Sequence, residues 1–355
     1  MKHRISSPSR YPNEYSSRYV SLFGARFYRA SLLTVGGLLA VILAASIVGL
    51  LLGDYPMTLG ETVAGLFGFG NDPLIRYFVQ DQRLPRVLGA IMVGTALGMA
   101  GNIFQRLSNN PLGSPDIIGF STGAASGALV AIIIVQAGPA AIGVGAMLGG
   151  LISATLVYFL SIKNRRVSGT QLVLVGIGAA AILQALNSIL IVRAELGPAQ
   201  TAAQWLAGSL NATTWPEIGA LVAVLAVFVP LALLLARPLQ IMLSGDDLAA
   251  GLGVRVHRRR REMIAVGVVL TALSVAIAGP IAFVALAAPQ LARRFDPGIA
   301  MLSSGLMGAA LVLLSDIIAQ RLFAPVQLPV GVVTGSLGGV YLIWLLLRKW
   351  HTNEH

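Results

Sequence analysis

Residues 31–53 read SLLTVGGLLAVILAASIVGLLLG, a run of 23 residues without a charged side chain. A helix that crosses the hydrocarbon core of a bilayer needs about 20 mostly apolar residues, so this stretch predicts a transmembrane helix. A cleaved signal would carry an apolar segment of roughly 7–15 residues behind a short basic start. Here 30 residues precede a longer run, so a retained span is expected. Comparable runs recur at 87–104, 117–135, 139–160, 172–192, 218–236, 263–279, 299–319 and 330–347. A tenth, at 281–292, is short. The fold class expected is all-α: a polytopic membrane protein of about ten transmembrane helices.

Charge supports that threading. With the N-terminus inside, 20 of the 25 Lys and Arg fall on the inner side or at inner span ends. Cytoplasmic loops carry the excess of Lys and Arg. Only Arg76, Arg83, Arg86, Arg193 and Arg321 fall outside, and these five need a separate reason. If 281–292 did not cross, the inner count would drop to 17, so ten crossings fit better. Gly279-Pro280 before that segment and Pro289 within it suggest a half-helix packed inside protein, where irregular backbone can be satisfied.

Composition agrees. Hydrophobic residues make up 56% and charged residues 11%, against roughly 25% charged in a soluble protein. The net charge of +11 is the inside-positive signal facing anionic lipid rather than a nucleic-acid footprint. The chain has no cysteine, which excludes disulfides and thiolate chemistry. Its histidines, His3, His257, His351 and His355, lie in the termini or a basic loop, so no metal site is expected within the membrane. Three parts are read: a basic, disordered or interfacial cytoplasmic tail over 1–30, the transmembrane domain over 31–349, and a cytoplasmic tail over 350–355. No fixed-period repeat is found.

Three loops stand out. The outer connection 54–86 contains the amphipathic stretch Leu59–Phe67, expected to be a surface helix. The outer region 193–217 carries Trp205 and Trp215, which suit an interface. The inner loop 237–262 holds Gly245-Asp246-Asp247 and Gly251-Leu252-Gly253 ahead of a basic run from Arg255 to Arg261. Gly119, Gly123 and Gly127 share a four-residue spacing, as do Gly331, Gly335 and Gly339, which permits close helix contact.

Candidate chemistry is sparse. Asp316 is the main ionisable residue in a span, and such a residue is a functional hypothesis by default. A local ion pair with Arg321, five residues on, or a helix-end hydrogen bond is the plainer account. Gln184, Asn187 and Ser188 sit at i, i+3 and i+4 of the fifth span and share a face. They either bond neighbouring helices or line an aqueous path. No carboxylate pair, zinc spacing or nucleotide-binding Gly-Lys-Ser/Thr loop is present, so the chain is not expected to hydrolyse ATP.

Five strings carry a resemblance: Arg83-Leu84-Pro85-Arg86; Asn110 through Gly119; Gly245-Asp246-Asp247 running to Leu252-Gly253-Val254; Gly279 through Val284; and Leu328 through Gly335. In this order they resemble the permease subunits of type II ATP-binding-cassette importers, which handle iron-siderophores, haem and vitamin B12. The resemblance implies a ten-helix subunit paired with a second permease, a translocation path at their interface, two cytoplasmic ATPases and an extracytoplasmic binding protein. It implies no cofactor on this chain, with ATP and Mg at the ATPase, and residence in the bacterial cytoplasmic (inner) membrane with both termini cytoplasmic.

Carried over by position, Arg83, Arg86 and Arg321 become the docking arginines. Gly245, Asp246, Asp247, Gly251, Leu252 and Gly253 become the ATPase-coupling element. Ser168, Gly169 and Thr170 become the cytoplasmic gate, while Gln184, Asn187, Ser188 and Thr334 flank the path. Ala285 through Gln290 departs from the family's more common Gly-Leu-Val-x-Pro-His. That variant resembles the branch moving ferric enterobactin and other catecholates, which implies a heterodimer and speaks against vitamin B12. The competing reading is a secondary transporter or channel using Asp316 and the polar face of the fifth span. An intramembrane enzyme would need a catalytic pair that the residues do not supply.

Overall fold

The structure is a computed structural model. It describes residues 19–22, 25–53, 55–69, 72–116, 118–163, 166–167, 169–296 and 300–352. The tail reading therefore falls largely outside the described residues at 1–18 and 353–355. Within the tail, strands Tyr19–Leu22 and Ala25–Tyr28 pair antiparallel, where an irregular segment was expected. A second small hairpin pairs Ile162–Lys163 with Arg166–Val167. Among the described residues, everything else regular is helical.

The helices are α1 (Arg29–Leu51), α2 (Leu59–Phe67), α3 (Pro73–Leu107), α4 (Phe120–Ile134), α5 (Pro139–Leu160), α6 (Gly169–Arg193) and α7 (Leu196–Leu206). They continue with α8 (Trp215–Met242), α9 (Asp246–Gly251), α10 (Val256–Ala278), α11 (Val284–Phe295), α12 (Ala300–Arg321) and α13 (Val330–Thr352). Ten of them coincide with the ten apolar runs. Seven, among the described residues, are long and apolar enough to cross a membrane outright. The surface helix α2 occupies the stretch predicted for it. A capping box closes its start: Glu61 donates its backbone N–H to the Thr58 hydroxyl, and its carboxylate accepts from Thr58 N–H at 2.7 Å. Those bonds hold the Glu61 carboxyl below the usual carboxylate range. Helix α13 runs to Thr352, three residues past the expected boundary at 349.

The core is organised around α3, which is buried along most of its membrane length. Small residues explain the closeness of its neighbours. A side chain at Gly94 or Gly98 would strike the α12 backbone at Gly308 or Ser304, and one at Gly101 would strike the Ala285 carbonyl of α11. Such glycines let backbones approach without any hydrophobic drive, which lipid cannot supply. Asn102 bonds across the same crossing, donating from Nδ2 to Ala300 O at 3.0 Å and Ser304 Oγ at 2.8 Å. The Gly123/Gly127 face of α4 packs likewise against Gly145, Gly149 and Ser153 of α5. Gly119 does not share that face; it precedes α4 with φ of +86°. Gly331 packs on Ala207, whereas Gly335 and Gly339 meet nothing within 4 Å.

Two irregularities position the functional regions. Over Tyr77–Arg83 the turns of α3 widen, with Leu84 N–H bonding back to Val79 O. Pro85 follows at once; its ring cannot donate and crowds the preceding turn, and the widening accommodates it. The Gly279-Pro280 break is observed, and the short α11 behind it is buried over Val284–Pro289 and at Ala292, while its end at Arg294 and Phe295 is exposed. Gln105 of α3 donates to Leu286 O at 2.8 Å, and Gln290 donates to Pro111 O at 2.7 Å. The half-helix is thus enclosed by protein, as a short intramembrane segment must be.

Candidate functional site

Of the five arginines isolated by charge counting, Arg83, Arg86 and Arg321 are occupied within the chain. Arg86, half-buried at the start of the α3 span, forms a bidentate ion pair with Asp316 of α12. Nε lies 2.8 Å from Oδ2 and one terminal nitrogen 2.9 Å from Oδ1. Its other terminal nitrogen donates to Gln327 Oε1 at 3.0 Å, and Gln320 donates to the same carboxylate at 2.8 Å. The expected Asp316–Arg321 pair is therefore corrected. Residue 321 lies five positions beyond 316, about 140° round the helix, whereas Arg86 on the facing helix reaches the carboxylate with planar two-point geometry. Arg321 instead donates to Gly53 O at 2.7 Å.

Arg83 is buried, at 8% exposure. Its guanidinium donates to Leu50 O at 2.8 Å, Leu51 O at 3.1 Å and Tyr55 O at 2.6 Å. These carbonyls belong to the last turn of α1 and just beyond it. A helix end leaves such carbonyls without partners and carries partial negative charge, so Arg83 caps α1. Arg83 is thus not presented outward as a docking residue. A cavity of about 370 Å³ between these elements is lined by Arg83, Arg86, Asp81, Gln82, Gln320 and Gln327, among others.

Deeper in the protein, a cavity of about 450 Å³ is lined by Ser114, Asp116, Ser121, Thr122, Gln184 and Phe283, with apolar neighbours. Gln184 is thus placed on a polar cavity. Asn187 is not: it is buried at 3% exposure, and its Oδ1 has no partner. Ser188 is exposed and bonds back to Gln184 O at 2.9 Å. The three residues share a helical face, yet Gln184 and Ser188 are exposed while Asn187 between them is buried. Thr334 is buried and bonds to Gly331 O at 3.1 Å. It lines a different, largely apolar cavity of about 260 Å³ with Tyr341, Ser315 and Leu311.

Phe283 lines both cavities. It sits immediately before α11 with φ of +77°, a conformation costly for an aromatic residue, and packs on Gly338 of α13. Asp116 and Phe283 were missed as lining residues. Asp116 lies within the Asn110–Gly119 string, and only the fold brings it to the cavity beside Gln184. Ser121 donates to the Asp116 carboxylate.

Ser168 of the expected gate lies outside the described residues. Gly169 packs against the last turn of α3 at Leu107 and Ser108, and Thr170 is exposed. The stretch after Ser244 forms the short helix α9. Gly245 and Gly253 flank it with φ of +108° and +82°, a region open mainly to glycine. Asp246 pairs with Arg260 at 2.8 Å, which fastens α9 to α10. Ala249 is buried, while Asp247, Leu248, Gly251 and Leu252 are exposed, the two leucines at 56% and 65%. Nothing lies within 4 Å of a side chain placed at Gly251. A short helix with two exposed leucines at its tip fits a protein partner.

Comparison with known proteins follows this geometry. A model of the FecCD transport family matches residues 38–348. The chain is 44% identical to the ferric enterobactin transport system permease protein FepG of Escherichia coli over 324 residues, 90% of this chain and 97% of that one. It is 35% identical to the achromobactin transport system permease protein CbrC of Dickeya dadantii, over 92% of this chain and 95% of the other. A solved structure described as an inward-facing conformation of a metal-chelate type ABC transporter superposes with a TM-score of 0.78 at 27% identity. That match covers 88% of this chain and 98% of the other.

Proposed function

The chain belongs to the FecCD transport family, and from that premise we propose that it is half of a dimeric permease importing a ferric catecholate siderophore into the cytoplasm. The observation that carries the substrate class is the 44% identity, over nine-tenths of the chain, to a permease named for ferric enterobactin. The second half is a different permease. The uncovered glycine face of α13, with Gly335 and Gly339 open and Leu337, Val340 and Ile343 exposed, supports a neighbour of that kind.

Two cytoplasmic ATPases bind at the α9 tips and hold ATP and Mg; this chain carries no cofactor. A binding protein docks at the outer face around Arg86, Gln320 and Arg321, with Arg83 holding the platform from within. The complex resides in the bacterial inner membrane with both termini inside. The path runs past Gln184 and the Asp116 cavity, with Gly169 and Thr170 at its inner end beside Ser168. Co-expression with a candidate ATPase and second permease, followed by native mass spectrometry, tests the assembly. The expected complex holds one copy of this chain, one of the other permease and two ATPases. Isolation of this chain alone, or of a complex without an ATPase, would overturn it.

A further inference from the structure

Four consecutive arginines, Arg258 to Arg261, open the membrane part of α10 at its inner end. Three have a carboxylate partner inside the chain, two of them sharing one. Arg258 and Arg259 both reach Glu262 at 2.8 Å, and Arg260 reaches Asp246 at 2.8 Å. Arg261 alone has no carboxylate among the described residues, and it is exposed. It lies at the lip of a groove of about 300 Å³ between α5 and α10.

The groove follows both helices along one face. Leu151, Ala154, Thr155 and Tyr158 recur at helical spacing on α5, and Ile264, Ala265, Val268 and Val269 do so on α10. The two helices run in opposite directions, so Tyr158 and Arg261 meet at the same, inner end. Leu151 and Val269 mark the deep end, about two turns and roughly 10 Å further into the membrane. Ala154, Ile264 and Val268 form a buried apolar floor, and Ala265 at its edge is exposed.

We infer that this groove binds an anionic phospholipid of the inner leaflet, with an acyl chain along the α5–α10 seam and the phosphate on Arg261 beside the Tyr158 hydroxyl. Three features together select that ligand. The slot is narrow and apolar and starts at the interface. Its only uncompensated charge is positive. Basic pockets between transmembrane helices on the cytoplasmic side attract acidic head groups. A purely solvated arginine would need no groove beneath it, and a purely apolar gap would need no arginine at its mouth.

The test uses the full chain purified in detergent and titrated with phosphatidylglycerol, with phosphatidylcholine as the neutral-headgroup control, read by native mass spectrometry. Wild type should bind phosphatidylglycerol in preference to phosphatidylcholine. Arg261→Gln should weaken phosphatidylglycerol binding about fivefold, the share of one interfacial charge. Ala265→Trp, at an exposed position, should fill the slot and abolish binding of either lipid there. Arg258→Gln, which removes an arginine already paired, should change little. Equal loss from Arg258→Gln and Arg261→Gln, or equal affinity for the two lipids, would overturn the site.

Discussion

Arg86 and Asp316, 230 residues apart in sequence, close on each other with two parallel hydrogen bonds of 2.8 and 2.9 Å. The Asp316 side chain is 2% exposed and that of Arg86 13%. The pair joins the outer ends of α3 and α12, whose inner halves are already locked by facing glycines. Asp316 thus reads as half of a structural clasp rather than as a lone proton-carrying group, which weakens the secondary-transporter alternative.

Removing one partner from a buried pair strands the other charge, at a cost of about 3–5 kcal/mol. Asp316→Ala should therefore lower the melting temperature sharply in detergent. The double variant Arg86→Leu/Asp316→Leu should recover much of the loss. An Asp316→Ala protein that melts like wild type would remove the clasp.

Arg83 should behave as a cap. Arg83→Met keeps much of the bulk but leaves the carbonyls of Leu50, Leu51 and Tyr55 without their donor, at about 1–3 kcal/mol. Thermal stability should fall, while the affinity of the surviving folded protein for its binding protein should stay near wild type. The reverse pattern, normal melting with weakened docking, would return Arg83 to the docking surface.

Glycines of equal helical character should differ in tolerance. Gly98→Val drives a side chain into the Ser304 carbonyl region and should prevent stable folding. Gly335→Ala meets open space in the single chain and should leave its melting unchanged. Comparable melting of the two variants would contradict the close α3–α12 crossing.

Because the chain has no cysteine, single cysteines report exposure cleanly. Gln184→Cys and Thr170→Cys should react with aqueous thiol reagents, whereas Asn187→Cys and Thr334→Cys should be protected, given their burial at 3% and 5%. Measured in the assembled transporter with and without nucleotide, this pattern maps the path. Protection at 184 with labelling at 334 would place the path on the other side of Phe283.

Much of the fold was legible because lipid imposes strong rules. Run length matches the helices, and Gly279-Pro280 with Pro289 marks the half-helix. The amphipathic stretch Leu59–Phe67 matches the extent of α2. Pairing was less legible. Nothing near Asp316 announces Arg86 as its partner, since the choice between Arg86 and Arg321 depends on how α3 and α12 cross. The polar set of the fifth span was read as one face, yet packing sends Gln184 to a cavity and buries Asn187. Asp116 reaches that cavity only because the loop after α3 folds back between helices. Arg83 was isolated by charge counting for a sound reason, its outer position, but the need it meets is the end of α1.

The central claim is ATP-driven import coupled through α9, and reconstitution tests it most directly. Proteoliposomes would hold this chain with its second permease and ATPases, and receive binding protein loaded with an iron-labelled catecholate chelate. Label should accumulate across the membrane only when ATP is supplied on the ATPase side. Gly251→Trp, at the exposed α9 tip, should abolish accumulation while leaving binding-protein docking intact. Accumulation without ATP, driven by an ion gradient and indifferent to Gly251→Trp, would contradict the account.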